Sequence, residues 1–466
     1  MTDTITEEEY ANPNLWLVKN DPIPFLLNVA SKMHIGDEPL LLAHILAAHS
    51  LGLGPEVDPI HVYCAGQSGK GKGHTANTIL KLFPENRKVA LGSFSDKAFY
   101  YASEKRNMDA VIIHFPEVTI NPKDEEKMAF LRMLLDSPSQ NMQPEHWTVD
   151  TNDKNKKEHR NLKLRGRKSV WFSSVSTIGD DQIKNRLLLG NPDESKKQDE
   201  MVFHHHVKRL WQLQIQSPTK EIGFCMRLND EILKENDMDV FIPFGDFLEF
   251  PDVNNRRLFP EFTTLVKVIT KVRYCIRNEI TLVGNGQTRK AFLATPEDVE
   301  LAILVWDYLH ATTKSQCSRA AIEILDFLPV GENSAITKYG LADLSGKSTD
   351  WCYKKCRELF NAGLAHSEKR ERKWYYWKDA SQSFGLTSGV RVQWQNVGEK
   401  ELARAFECIS VIVEDKPIIE EYCKQYANYS YTCPSWIKRQ ETPVEPLETG
   451  SSSESDDNPS STKGLE

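Results

Sequence analysis

From Pro22 to Leu53 the apolar residues recur at helical spacing, with Leu40, Leu41, Leu42, Ile45, Leu46 and Leu51 forming one stripe. A helical lead-in over residues 1–55 is expected, behind a polar, acidic start. The pattern then changes period. Ile60 to Ala65 is a short apolar run of strand formers, a glycine cluster follows at once, and Ala76 to Phe83 returns to helical spacing. Further strands are predicted at 109–115 and 169–175, with a helix over 125–135 between them. Strands alternating with helices imply a largely parallel α/β sheet covered on both faces. Beyond Glu194 the pattern predicts helices at 200–214, 262–277 and 296–309. A smaller unit at about 315–379 reads as three helices followed by a basic, aromatic hairpin. Residues 381–440 carry no pattern that assigns them.

Composition changes this picture in three places. A mean hydropathy of -0.49 with 27% charged residues describes a chain that water solvates well, and no run of about 18 apolar residues offers a membrane span. The Met1–Glu9 start lacks the basic and apolar pattern of a secretory signal, so a cytoplasmic protein is expected. The nine cysteines are scattered without CxxC pairs, and Cys352 and Cys356 read as buried small hydrophobes on a helix rather than ligands. His204, His205 and His206 point in three directions on a helix and cannot converge on one ion. The net charge of -8 conceals an asymmetry: residues 441–466 hold seven acids against Lys463 alone, and their Ser, Pro and Gly content predicts a disordered tail.

The glycine cluster carries the chemistry. Gly66, Gln67, Ser68, Gly69, Lys70, Gly71, Lys72 and Gly73 fit G-x-x-x-x-G-K, in which glycines turn backbone N–H groups inward around phosphate oxygens and the lysine reaches the outer phosphates. The helix opening near His74 adds its positive end. The residue after the lysine, a Ser or Thr in the full motif, is Gly73. Thr75 is then the candidate to hold magnesium. A catalytic acid is expected at the end of the next strand. Glu117 stands there as candidate base, with His114 where an earlier acid belongs. Hydroxyls from Ser173 to Thr177, Ser174 among them, end the following strand and are candidates for the outer phosphate. Arg186 is the candidate finger into a neighbouring subunit's site.

Two basic stretches suggest nucleic acid. Between residues 154 and 168 eight cations (Lys154, Lys156, Lys157, Arg160, Lys163, Arg165, Arg167, Lys168) face Glu158 alone, within a predicted hairpin. In the C-terminal unit, Ser348 caps a helix bearing Lys354, Lys355 and Arg357, and the following hairpin carries Arg370, Arg372 and Lys373. That order of elements describes a winged helix facing phosphates.

The succession of the 66–73 loop, the Ile112 to Glu117 strand end, the Ser173 to Thr177 strand and the segment from Asn185 to Ser195 resembles AAA+ ATPases of the minichromosome-maintenance-like kind in archaeal and mobile-element replication proteins. The resemblance covers roughly residues 35–380. It implies a P-loop AAA+ core at 56–215, a helical lid at 216–312, where Arg256 or Arg257 serves as a second nucleotide sensor, and a winged helix at 313–380. It also implies ATP and Mg2+ as cofactors, single- and double-stranded DNA as partners, and a homo-oligomeric, hexameric ring. The function it implies is an ATP-dependent DNA helicase or translocase of replication. An ATP-switched, weakly hydrolysing initiator is the competing reading, supported by Gly73 and His114, and a phosphotransferase using the same loop is a third.

Overall fold

Strands rich in Val, Ile, Phe and Tyr suit a sheet buried on both faces. In a computed structural model, the described residues are 5–430 except 67–68, 92–98, 102, 104–107, 117–123, 137–144, 151–157, 164–165, 175–180, 185, 195, 212–217, 235–238, 252–255, 285, 316, 363 and 379–388. The first seven strands are β1 (Val62–Ala65), β2 (Lys88–Ala90), β3 (Val111–Pro116), β4 (Glu145–Asp150), β5 (Glu158–Lys163), β6 (Lys168–Ser174) and β7 (Leu188–Gly190). Five of them form one parallel sheet in the order β2-β3-β6-β1-β7. The remaining two, β4 and β5, pair antiparallel as a separate ribbon.

The two faces of the sheet are covered differently. Alternation along β3 and β6 sends Val111, Ile113, Phe115, Val170 and Phe172 to one side, where they pack with Leu131 and Leu134 of the helix Glu125–Leu135. There the Phe115 and Phe172 rings stack at 5.2 Å. The opposite face receives the helix Glu38–His49, whose His44 meets Trp171 edge-on at 4.9 Å. Every residue from Leu40 to His49 is buried, so this helix has no polar side and its apolar stripe is only part of its contact surface. It packs on the helices Pro22–Ser31, Lys72–Leu80, Thr219–Lys234, Leu258–Val272 and Pro296–Ser315 as well as on β1. Its five Leu and Ile side chains contribute roughly 1.5–3 kcal/mol each relative to exposure.

The helices Leu258–Val272 and Pro296–Ser315 are tied by charge. Asp298, fully buried, accepts from Arg273 Nη1 at 2.8 Å and from Arg277 Nε and Nη2 at 2.8 and 2.7 Å, while Arg273 also grips Asp21 at 2.6 Å. Burial alone would raise the Asp298 carboxyl; Arg277 and Arg273 outweigh it and hold it down at about 2. The strands Asp239–Phe241, Glu279–Gly284 and Gln287–Leu293 form a mixed sheet beside these helices. Residues 389–430, unassigned from sequence, complete this region. Arg391–Val392 pairs with Leu248–Glu249, and the helices Glu399–Glu407 and Lys416–Tyr426 place Phe406 on Phe241 at 5.1 Å and Tyr422 near Phe244.

The C-terminal unit contains the helices Arg319–Phe327, Lys338–Ser345 and Thr349–Asn361, with Ile336–Thr337, Lys373–Trp377 and His366–Arg370 as a three-stranded antiparallel sheet. Cys352, Cys356, Leu359 and Tyr376 form part of its core. Among the described residues no helix is long and apolar enough to cross a membrane. Residues 431–466 lie outside the described residues.

Two stability predictions follow from these buried charges. Asp298→Asn leaves Arg277 buried without its anion and Arg273 with Asp21 alone, and is expected to cost roughly 3–5 kcal/mol in denaturant titration, against less for Asp21→Asn at the more exposed end of the network. Second, burial lowers His44, His49, His61 and His114 each to about 4. Their stabilisation is complete above the unfolded value near 6.5 and is lost as pH falls from there to about 4. Glu261, raised by burial to about 8, acts in the opposite sense as a single group. Unfolding near pH 5 should therefore take up about three protons net, and the melting temperature should drop steeply between pH 6.5 and 4. A flat profile there would contradict the burial of these imidazoles.

Candidate nucleotide-binding site

β1 lies between β6 and β7 in its sheet, and the glycine loop leaves from its carboxyl end. Gly66 N–H donates to the Ser174 carbonyl at 3.2 Å, carrying the β1–β6 ladder into the root of the loop. Gly69 and Gly71 take φ of +83° and +90°, a conformation that any side chain would strain. Gly71 is the residue before the helix Lys72–Leu80, whose first turn has neither a side-chain cap nor an acid. Its leading N–H groups therefore face outward without a side-chain acceptor, which makes an anion site. Lys72, the motif lysine, is buried at this turn.

Two other segments close around the loop. Asp37, at φ +56°, does not cap its own helix; its carboxylate accepts from Asp193 N–H at 2.7 Å and lies 3.0 Å from His34 Nε2. His34 Nδ1 meets His74 Nδ1 at 2.8 Å with the rings stacked, so one of the two nitrogens carries the shared hydrogen. Burial, followed by the charges of His34, Lys81 and His206, lowers the His74 imidazole. Lys70 at the loop tip pairs with Asp199 of the helix Lys196–Trp211 at 2.6 Å. His34, Asp37, Asp193 and Asp199 are separated from the motif by up to about 130 residues, so no local pattern announced them.

Several expected residues lie elsewhere than their roles required. Thr75, the expected magnesium ligand, is fully buried, and its hydroxyl donates to the Gly71 carbonyl at 3.1 Å. Ser174 is buried with its hydroxyl beside that of Tyr63, and it meets the loop through its backbone. His114 is fully buried in β3, with Nε2 3.1 Å from Ser173 Oγ, and burial keeps it neutral. Gln67, Ser68, Glu117, Lys154, Lys156 and Lys157 lie outside the described residues, as does the side chain of Arg160.

The basic stretch is smaller than it reads. Arg167 turns inward and donates to the carbonyls of Gly54, Ser50 and Val57. Lys168, 6% exposed, bonds the Gly166 carbonyl, and burial lowers it to about 8 against the pull of Asp109. In the C-terminal unit Lys354, Arg357, Arg372 and Lys373 are exposed, and Arg370 pairs with Glu368 and Glu332. Lys355 is the exception. It is buried against Glu194, Glu358 and Ser318 and does not face outward.

Arg186 stands just before β7, at the amino edge of a parallel sheet whose carboxyl edge carries the loop. Its side chain pairs with Asp136 and, with Arg256, Arg257, Asp58 and Glu261, lines a cavity of about 370 Å³. Four steps of strand, about 13 Å, separate Val62 at that edge from Gly66. Neither Arg186 nor Arg256 and Arg257 borders its own chain's glycine loop.

The loop, its strand and its helix define a P-loop domain, which implies nucleotide binding. In agreement, residues 8–235 match the family model described as the MTBMA_p00010 P-loop domain. The chain is also similar to the uncharacterized protein MTBMA_p00010 of Methanothermobacter marburgensis, 25% identical over 323 residues. That alignment covers 67% of this chain and 38% of the archaeal protein's length.

Gly73 supplies a direct test. A Cβ built there meets nothing within 4 Å, so the missing hydroxyl can be restored without a clash. Gly73→Ser is expected to stabilise the helix by roughly 0.5 kcal/mol and to lower severalfold the Mg2+ concentration giving half-maximal nucleotide affinity. An unchanged Mg2+ titration by fluorescent-nucleotide binding would mean that the loop does without a hydroxyl ligand.

Proposed function

We propose that the protein is an ATP-dependent DNA helicase or translocase of replication, working as a ring in which each ATP site is completed by a neighbouring subunit. The observation that carries this reading is the position of Arg186. A cation held at the amino edge of the sheet cannot serve its own loop, yet a second copy stacked loop-to-edge would bring it, with Arg256 or Arg257, to the phosphates. In such a site the loop N–H groups and Lys72 bind and orient the triphosphate, Glu117 orients the attacking water, and Arg186 offsets the charge that develops on the transferred phosphoryl group. Magnesium, when bound with the nucleotide, would supply further charge neutralisation, and with Gly73 after the motif lysine and Thr75 buried it would be held chiefly through the phosphates. The ribbon of β4 and β5 and the exposed Lys354, Arg357, Arg372 and Lys373 of the winged-helix-like unit are the surfaces offered to single- and double-stranded DNA.

A second reading is favoured by the same loop. With Gly73 after the motif lysine, a neutral His114 and an inward Thr75, the site suits an initiator that binds ATP as a structural switch and hydrolyses it slowly.

Steady-state ATP hydrolysis with and without single-stranded DNA separates the two. For a motor, DNA stimulates turnover, and Lys72→Ala and Glu117→Gln abolish it. Arg186→Ala lowers turnover by roughly 10³-fold, and mixing Arg186→Ala with Lys72→Ala subunits restores part of it. ATP binding without turnover in the wild type selects the switch, and mixtures that recover nothing exclude shared sites.

A further inference from the structure

We infer that the C-terminal three-helix unit is part of the nucleotide site, and that Lys355 is a positioning residue which holds Glu194 against the root of the glycine loop. The inference rests on the nucleotide-binding reading of that loop. Lys355 lies on the helix Thr349–Asn361, whose sequence pattern presents it among exposed cations, yet only 5% of it is exposed. Its Nζ lies 2.7 Å from Ser318 Oγ, 3.3 Å from Glu358 Oε2 and 3.6 Å from Glu194 Oε2.

Two of these partners are local to the C-terminal unit. Ser318 caps the helix Arg319–Phe327, and Glu358 is one turn along from Lys355. The third comes from far along the chain. Glu194 ends the stretch after β7, its side chain is 3% exposed, and its Oε1 lies 3.6 Å from the point where a Cβ on Gly66 would stand, with Pro192 Cδ at 3.3 Å. Gly66 is the first residue of the loop, and the same stretch bonds the end of β1 through Asn191 Nδ2 to the Ala65 carbonyl. Tyr308, on the helix leading to the C-terminal unit, donates its hydroxyl to the Asn191 carbonyl at 2.6 Å.

Burying a lysine and a glutamate together costs several kcal/mol in desolvation unless both are held, and removing one member leaves the other charge uncompensated. Lys355 is therefore one determinant of where Glu194 sits, and Glu194 and Pro192 line the space that a side chain on Gly66 would occupy. A shift of the C-terminal unit moves the floor of the phosphate loop. By reciprocity, a nucleotide that tightens the loop changes how firmly the C-terminal unit is held.

The test uses the full-length protein and a fluorescent ATP analogue. Lys355→Met is expected to weaken nucleotide binding about tenfold, within the usual range for coupled sites, and Lys355→Arg to retain most of the wild-type affinity. Because Glu194→Gln removes the charge left behind, the Lys355→Met/Glu194→Gln pair should bind better than Lys355→Met alone. Glu194→Gln by itself gives the same reading should Lys355→Met fail to fold. Folded variants that all bind nucleotide within twofold of wild type would overturn the proposal, and so would a Lys355→Met protein that loses DNA affinity with nucleotide affinity intact. A wild-type protein that binds no nucleotide removes the reading of the loop and this inference with it, an outcome distinct from wild-type binding that the variants leave unchanged.

Discussion

A helix that is buried on every side must be walled on every side, and Glu38–His49 imposes that requirement on the whole molecule. The parallel sheet covers one flank, the helix behind the glycine loop another, and Leu258–Val272 and Pro296–Ser315 the rest. Its two histidines can be enclosed only because each has a partner: His44 Nδ1 bonds the Leu40 carbonyl, and His49 Nε2 meets Asn229, whose amide reaches on to the Leu82 carbonyl. Unpartnered, each would cost as much as several buried methyl groups return. The helix therefore fixes the sheet, the loop and the helices beyond in one arrangement, and the Asp298 network locks the far wall to the chain's first helices.

The chemistry sits where this framework leaves backbone groups unused. At the carboxyl edge of the sheet, a turn of glycines and the open end of a helix gather N–H groups and a lysine, so the field there is positive and suited to phosphate. At the amino edge an arginine cluster is balanced by Asp58 and Asp136. One chain thus holds the two halves of a charge pattern about a strand's length apart, facing in opposite directions.

Much of this was legible in the sequence, for definite reasons. β1, β3 and β6 are runs of Val, Ile, Tyr and Phe long enough to show their period, and the loop motif is local. The helix Glu38–His49 was read as a striped helix because periodicity reports contrast, and a helix enclosed on all sides has little. Lys355, Arg167 and Lys168 were counted with exposed cations because charge in a sequence carries no direction; only packing shows that Arg167 serves three carbonyls and Lys355 a distant glutamate. Residues 389–430 stayed unassigned because their strand is two residues long and pairs with a segment more than a hundred residues earlier. The histidine and aspartate contacts around the loop join positions that no local window spans.

The enclosed helix also separates two meanings of the word module. The match to the P-loop domain model ends at residue 235, whereas the walls of Glu38–His49 include helices that begin at residues 258 and 296. The boundary of that match and the boundary of physical self-sufficiency differ in this chain. A fragment cut at residue 235 would carry the glycine loop on a framework with an apolar flank open to water, and would be prone to associate through that flank. Whatever variation accumulates beyond residue 235 remains answerable to a helix laid down two hundred residues earlier.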